Sequence, residues 1–156
     1  MRNALTALSV SLPVSLSAAC IPALATAGEV IECDWQAQAS NLAEPWEEST
    51  RTFANGAVRL ALLDTVEPAA GAFHLLVLSP PYNELGDRQC RVVTLGGGAG
   101  FSGIDFANVA AAYDPSIGLI FNFEAQRFDS DYNDFLPITL EVTLNQATGQ
   151  IGVWHQ

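Results

Sequence analysis

Residues 137–156 read PITLEVTLNQATGQIGVWHQ, and this stretch decides the fold class. From Ile138 to Leu144, apolar and polar side chains alternate strictly. That period of two is typical of a strand with one buried face and one face in water. Asn145 and Gly149 follow as turn residues, because asparagine caps its own turn and glycine accepts a positive φ. The stretch therefore predicts an antiparallel hairpin, which needs more sheet around it since a lone hairpin is only marginally stable.

Further strand-like segments alternate with turn residues along the rest of the chain. Asn55 and Gly56, between two such segments, form the strongest short-range signal for a hairpin. The other predicted strands cover residues 31–37, 72–79, 88–95 and 119–128. The predicted loops cover residues 38–49, 80–87 and 129–134. Hairpin-length connections are typical of antiparallel sandwiches and small barrels. The sequence predicts a single all-β domain over residues 28–156, built from hairpins as an antiparallel β-sandwich or a small β-barrel.

Residues 104–113 fit two interpretations. Apolar residues recur there at helical spacing, and Ser102 with Asp105 resembles a capping box. Against this, the turn at 113–118 repeats the chemistry of the turn at 144–149: an apolar residue, then Asp or Asn, then glycine four positions later. We favour the strand, paired with the segment that follows it.

The first 27 residues have the pattern of a secretory signal peptide. Arg2 supplies the early positive charge, an apolar run follows, and residues 25–27 (Ala-Thr-Ala) form a cleavage site of small residues. A transmembrane anchor is the less favoured alternative, because two prolines interrupt the run and no basic stop-transfer cluster follows it. Lipoprotein processing at Cys20 is a second alternative, opposed by the apolar residues that continue after it. We expect cleavage after Ala27 and a secreted or periplasmic protein.

The chain is strongly acidic. It has 17 acidic and six basic residues, all of the latter arginine, for a formal net charge of −11. Removing Arg2 with the leader leaves five basic residues and a charge of −12. Phosphate groups repel such a chain, which opposes nucleic acids and anionic membranes as partners. The same charge favours a cationic protein partner, a divalent metal ion or simple solubility.

Cys33 and Cys90 are the two cysteines that remain once a leader containing Cys20 is removed. An even number of cysteines in an oxidising compartment predicts a disulfide, worth roughly 2–4 kcal/mol of stability. A two-thiolate metal site is the alternative, but no histidine or further cysteine lies at ligand spacing from either residue. We predict the Cys33–Cys90 disulfide.

One acidic loop, DSDYN, matches the first half of a calcium-binding loop. Asp129, Asp131 and Asn133 place oxygen ligands at alternate positions, as Ca²⁺ prefers. The match then ends, because Asp134 stands where such a loop needs glycine and Leu140 where it needs glutamate. A solvated acidic turn is the simpler interpretation, and an irregular Ca²⁺ site with these three ligands is the alternative.

Residues 98–103 (GAGFSG) match the G-x-G-x-x-G pattern of dinucleotide sites. The segment follows a predicted strand, and Glu124 lies about twenty residues further on, as that fingerprint requires. Both flanks nevertheless have hairpin character, and a single β-α-β unit does not build the parallel sheet that such a site needs. A flexible glycine loop between strands is the preferred interpretation, and no nucleotide cofactor is expected.

The sequence offers no clear catalytic constellation. Ser102 lies in GFSGI, which misses the G-x-S-x-G pattern at its last position. His74 falls within an apolar strand, where a packed imidazole is more common than a catalytic base, and His155 is penultimate and expected to fray. No motif links either histidine to Ser102 or to a carboxylate. A small secreted hydrolase is therefore the third hypothesis, after two kinds of binding module.

Several aromatic side chains are expected at the surface. Trp46, Tyr82 and Tyr132 lie in predicted loops, and Trp154 falls on the face opposite Val153. Exposed aromatic residues beside carboxylates can form recognition surfaces for a basic protein or a sugar, and packing of loops onto the sheet is the alternative. The first hypothesis is a non-catalytic binding or inhibitor-like module for a cationic protein. The second is a Ca²⁺-dependent or small-ligand-binding module.

Overall fold

The chain is all-β in the computed structural model, which describes residues 26–156. The predicted leader lies outside these residues, except for its last two. The strands of the described part are β1 (Thr26–Ala27), β2 (Glu29–Glu32), β3 (Thr50–Phe53), β4 (Val58–Asp64), β5 (Phe73–Tyr82), β6 (Arg88–Thr94), β7 (Gly103–Ile104), β8 (Ala110–Asp114), β9 (Gly118–Asp129), β10 (Asp134–Leu144) and β11 (Ile151–His155). One helical turn, α1 (Trp46–Ser49), and a few 3-10 turns accompany them.

The strands form two sheets in which each paired strand runs antiparallel to its neighbour. The six-stranded sheet has the order β1-β11-β10-β9-β7, and β8 also pairs with β9. The five-stranded sheet has the order β2-β6-β5-β4-β3. The longest ladder joins β9 and β10 over eleven residue pairs, from Asp134 opposite Asp129 to Leu144 opposite Leu119. This ladder forms the centre of the six-stranded sheet.

The closing hairpin has the predicted register and turn. Val142 lies opposite Val153, and their side chains are both buried. The Asn145 side-chain carbonyl accepts hydrogen bonds from the backbone N–H groups of Ala147 (3.0 Å) and Thr148 (3.1 Å). Gly149 has a φ of 76°. The local turn chemistry therefore sets this hairpin, as expected from the sequence.

The segment that fitted two interpretations is not helical, and the favoured strand is interrupted at residues 105–109, between β7 and β8. β7 and β8 both pair with β9, and the Asp105 carboxylate accepts from the side-chain amide of Asn108 (2.8 Å) instead of starting a helix. Asp114 caps the following turn, because its carboxylate accepts from the backbone N–H of Ser116 at 2.7 Å. Gly118 then has a φ of 117°. The two turns with the same chemistry thus form two similar hairpins.

One hydrophobic cluster lies between the sheets. It contains buried residues of the five-stranded sheet, such as Leu60 and Val77, and of the six-stranded sheet, such as Phe123 and Leu140. The rings of Phe53 and Phe121, one from each sheet, meet edge to face with centroids 4.8 Å apart. Aromatic pairs in this arrangement add roughly 0.5–1.5 kcal/mol beyond the burial of their area. The sheets are therefore held together by apolar packing.

A second apolar cluster covers the opposite face of the five-stranded sheet. Buried Leu63, Leu76 and Val92 pack there against the chain that follows β2. The disulfide between Cys33 and Cys90, with Cα atoms 5.5 Å apart, closes this cluster and confirms the predicted bridge. Both faces of this sheet are thus buried at its centre, which explains the nearly continuous apolar runs of β4 and β5.

Three details of the sequence analysis are wrong. The predicted strand at 31–37 leaves the sheet after Glu32, because the Asn41 side-chain amide donates to the carbonyls of Trp35 and Gln36 and holds a 3-10 turn. The predicted loop at 80–87 starts later, since β5 continues to Tyr82 across a register shift. The glycine loop is packed rather than flexible at Gly100, whose N–H donates to the Gly71 carbonyl at 2.9 Å.

Candidate functional site

The carboxylates are the most numerous chemically active groups, and few of them are neutralised. All 17 lie in residues 26–156. The described residues contain two salt bridges, Arg91 to Glu32 (2.6 Å) and Arg127 to Asp129 (3.0 Å), which leave 15 carboxylates without one. Arg51 and Arg88 donate to backbone carbonyls instead. The surface therefore carries a strong uncompensated negative charge.

Many of these carboxylates accept hydrogen bonds that stabilise a turn. Asp64, Asp114 and Asp129, for example, each accept from the backbone N–H two positions later. Hydrogen bonds from the side chain and backbone of Ser116 hold the pKa of Asp114 below its usual value. In the described part of the chain, eight carboxylates make neither a salt bridge nor a side-chain hydrogen bond: Asp34, Glu44, Glu47, Glu48, Glu84, Glu124, Asp131 and Glu141.

Glu124 and Glu141 differ from the rest of this set because they lie on strands. They belong to β9 and β10, and both are exposed. Their side chains point to the face of the six-stranded sheet turned away from the shared core, which we call the outer face. The other six lie in loops, in a turn or in α1. The outer face is therefore where free carboxylates are held on paired strands.

Trp154 lies on the same face, as its position in the hairpin predicted, next to Glu141 and two strands from Glu124. It is 42% exposed and stands directly opposite Glu141 in the β10–β11 ladder. Its indole covers Gly152: a Cβ atom at that glycine would lie 2.6 Å from Cζ3 of Trp154 and would also meet Cη2. The missing side chain at Gly152 thus lets the indole lie along the sheet with its other side in solvent.

Two grooves flank the indole of Trp154. The first, which we call the carboxylate groove, has a volume of about 230 Å³ and is lined by Asn122, Thr139, Glu141, Trp154, His155 and Gln156. The second, the amide groove, has a volume of about 310 Å³ and is lined by Ser116, Ile117, Thr143, Asn145, Gln150, Gly152 and Trp154. Neither groove contains an arginine. An aromatic plate, carboxylates and uncharged hydrogen-bonding groups are therefore combined on one face.

A cavity of about 560 Å³ lies at one end of the six-stranded sheet. Arg127 and His155 provide its charged or ionisable groups, and Leu95, Leu136 and Ile138 provide apolar walls. Burial, and then the charge of Arg127, lower the pKa of His155 below its ordinary value. His155 does not fray as expected, because it pairs with Leu140 in β10, a contact that cleavage after Ala27 would leave in place.

The three predicted calcium ligands lie at the β9–β10 turn. The Asp129 carboxylate binds Arg127 through one oxygen and accepts from the backbone N–H of Asp131 (3.0 Å) through the other. Asn133 has a positive φ of 51° and completes the turn. Among the described residues, no group of three or more His, Cys, Asp or Glu side chains is arranged to hold a metal ion. A Ca²⁺ ion at this turn would compete with Arg127 for Asp129.

Ser102 and His74 are not joined as a nucleophile and its base. The Ser102 hydroxyl donates to the Ala70 carbonyl at 2.6 Å. His74 is buried, its Nδ1 has no hydrogen-bond partner among the described residues, and desolvation lowers its pKa. The adjoining glycine motif continues into β7 rather than a helix, which removes the helix N-terminus that a dinucleotide site requires.

Sequence reasoning singled out Trp154, named Glu124 only for the disfavoured dinucleotide fingerprint, and missed Glu141 as a member of a site. Their alternation with buried neighbours already indicated that they face solvent. What distinguishes them from other surface carboxylates is the lack of a partner, which depends on the folded neighbours. Gly152 was also missed, since its effect comes from the side chain of another residue.

No family model, curated protein sequence or solved structure matches this chain. In the part of the chain that the structure describes, none of the helices has the length and apolar character needed to cross a membrane.

Proposed function

We propose that this chain is an exported, non-catalytic binding module for a cationic protein, with its two sheets packed as a β-sandwich. Export is supported by the leader pattern and by the Cys33–Cys90 disulfide, since such bonds persist in oxidising compartments. The sandwich is supported by the apolar cluster shared between the sheets. The two sheets touch through an isolated bridge between Phe73 and Phe101 and through the Gly28 N–H, which donates to the Val153 carbonyl. Among the described residues, no ladder between two strands joins one sheet to the other, as a closed barrel would require.

The observation that carries the proposal is the shortage of salt bridges, two for 17 carboxylates. Folding leaves this negative charge unpaired and displays it in water. A field of one sign attracts partners of the opposite sign and speeds their encounter. A catalytic role for Ser102 and His74 is not supported, because the Ser102 hydroxyl donates to a backbone carbonyl and His74 is buried.

Affinity capture tests this function. The exported chain, in the processed form that cells produce, is immobilised and exposed to an envelope extract at low and then at high salt. We expect it to retain one or a few proteins of high isoelectric point at low salt and to release them at high salt, because screening weakens exposed charge pairs. Retention of nothing at either salt, or of proteins with the isoelectric distribution of the extract, would overturn the proposal.

A small-ligand module is the second candidate, and the cavity of about 560 Å³ favours it. Ligand pockets usually occupy about 300–1,000 Å³ and combine apolar walls with a few polar groups. Arg127 and His155 are the polar groups here. A ligand that binds only the folded chain raises its melting temperature, so a thermal-shift screen tests this candidate. Added Ca²⁺ in the same screen tests Asp129, Asp131 and Asn133, and an unchanged melting temperature removes the calcium hypothesis.

A further inference from the structure

The outer face of the six-stranded sheet presents an exposed indole beside free carboxylates. Glu124 and Glu141 are the strand residues of the described chain whose carboxylates have no salt bridge and no hydrogen bond. They lie on the β9–β10 ladder, the longest in the fold, so folding has already ordered their backbone. A partner that binds here pays little additional conformational entropy on this side.

Distances follow from the register of the strands. Glu141 lies directly opposite Trp154, and side chains in such pairs have Cβ atoms about 4.5–5.5 Å apart. Glu124 is the diagonal neighbour of Glu141, since Asn122 is the residue opposite Glu141, and diagonal neighbours lie roughly 7–8 Å apart. Glu141 is therefore close enough to act on a cation that rests above the indole, which requires a distance of about 6 Å or less from the ring. Glu124 lies two strands away from Trp154 and is placed to attract a neighbouring basic residue instead.

The size of the grooves on the outer face suits a single side chain better than a larger molecule. The carboxylate groove, at about 230 Å³, is smaller than the pockets of about 300–1,000 Å³ that enclose small-molecule ligands. The amide groove, on the other side of Trp154, offers Asn145 and Gln150 to a backbone that crosses the indole. A charged side chain in the first groove and its peptide backbone in the second match the chemistry of the face.

We propose that the outer face docks a basic peptide segment through an arginine whose guanidinium stacks on Trp154 and pairs with Glu141, while Glu124, two strands from Trp154, attracts a further basic residue of the same segment. Arginine fits better than lysine, because its planar group stacks on an aromatic ring and also pairs with carboxylates. This inference rests on the proposed function and assigns its docking surface. The apolar leader of the chain itself does not match the charge of this face.

The probe is an N-acetylated, C-amidated tetra-arginine peptide, and its control is the same peptide with neutral citrulline at each position. The indole N–H signals of ¹⁵N-labelled exported protein are followed by NMR and assigned with Trp154→Phe. We expect tetra-arginine to shift the Trp154 signal saturably and to leave the Trp35 and Trp46 signals in place. The affinity should fall as salt rises from about 20 to 200 mM, and citrulline should have no effect.

Matched variants separate this face from general acidity. Trp154→Ala should weaken binding by about two- to fivefold, as expected for a cation on an exposed ring. Glu141→Gln should weaken it to a similar degree. Trp46→Ala and Glu47→Gln are the controls, because Trp46 is 59% exposed and adjoins a free carboxylate in α1. Gly152→Ala keeps the indole but displaces it from its position, and it should also weaken binding.

The outcomes distinguish this inference from the proposed function. If Trp154→Ala still captures the cationic protein as well as the wild type, the docking surface is wrong while the function stands. Equal losses in the Trp154 and Trp46 variants would also overturn the surface, as would equal shifts with citrulline or with an uncharged glucose oligomer. If tetra-arginine moves none of the indole signals while capture succeeds, arginine recognition at this face is refuted.

Discussion

Breaking the Cys33–Cys90 disulfide is expected to lower the free energy of unfolding by up to about 4 kcal/mol. The two cysteines are 57 residues apart, and the loop-closure model assigns about 4 kcal/mol to a loop of that length. The bridge follows directly after the Glu32–Arg91 pair of the β2–β6 ladder. It therefore ties an edge strand to its neighbour at the point where the chain leaves the sheet.

Loss of the bridge should also loosen the segment that covers the five-stranded sheet. Leu42 and Ala37 of that segment pack on the second apolar cluster, which includes both cysteines. The neighbouring Arg91–Glu32 salt bridge adds little, because Glu32 is 79% exposed and exposed pairs contribute about 0–1 kcal/mol. Proteolytic cleavage in residues 38–49 should therefore become faster in the reduced protein.

Urea unfolding of the oxidised protein, the reduced protein and Cys33→Ala/Cys90→Ala measures the effect. The reduced protein keeps both sulfur atoms in the apolar cluster, so its loss reports the cross-link itself. The double variant adds the loss of packing and should be the least stable of the three. A difference of less than about 1 kcal/mol between the oxidised and reduced proteins would refute the loop-closure reasoning.

Three further predictions concern pH, a turn and the leader. Because burial lowers the pKa values of His74 and His155, the unfolded chain binds protons that the folded chain does not. The free energy of unfolding should therefore fall as the pH drops below about 6.5, by at most about 1.4 kcal/mol per pH unit for each histidine. Urea unfolding from about pH 7.5 to 5 checks this, and an unchanged slope after His74→Gln would contradict the part assigned to that residue. Gly118→Ala should lower the free energy of unfolding by more than the roughly 1–3 kcal/mol of backbone strain, since its Cβ would meet the backbone of the adjacent turn. Gly86→Ala, also at positive φ but in open space, should lower it less in the same assay. Intact mass of the exported chain should place its first residue at Gly28, and a first residue at Cys20 would instead show lipoprotein processing.

The hairpins were predictable because their information is local. An Asp or Asn that caps its own turn and a glycine four residues later specify the connection, and the alternation on either side specifies the register. Asn145 with Gly149 and Asp114 with Gly118 both meet this rule in the structure. The helical pattern at 104–113 did not form a helix because both ends of this segment pair with β9, on either side of residues 105–109.

The chain after Cys33 was not predictable in the same way. Its alternating residues suggested a longer strand, yet Gln36 is buried and its Oε1 atom has no hydrogen-bond partner among the described residues. The 3-10 turn there depends on hydrogen bonds from Asn41, five and six residues away. Its position over the five-stranded sheet depends on the cross-link to Cys90. Neither constraint appears in a strand pattern.

The strands of the two sheets nevertheless differ in their sequence pattern, and this difference shows which sheet has a face in solvent. β4 contains the continuous apolar run from Leu60 to Leu63, and apolar packing covers both faces of its sheet. β9 and β10 instead alternate, and Glu124 and Glu141 occupy the wet positions of that alternation. Burial on one side fixes the register of these strands, so the identity of the residues on the outer face matters little for folding. That freedom is why an unpaired carboxylate beside an exposed indole costs the fold little, and why we assign the docking surface to this sheet.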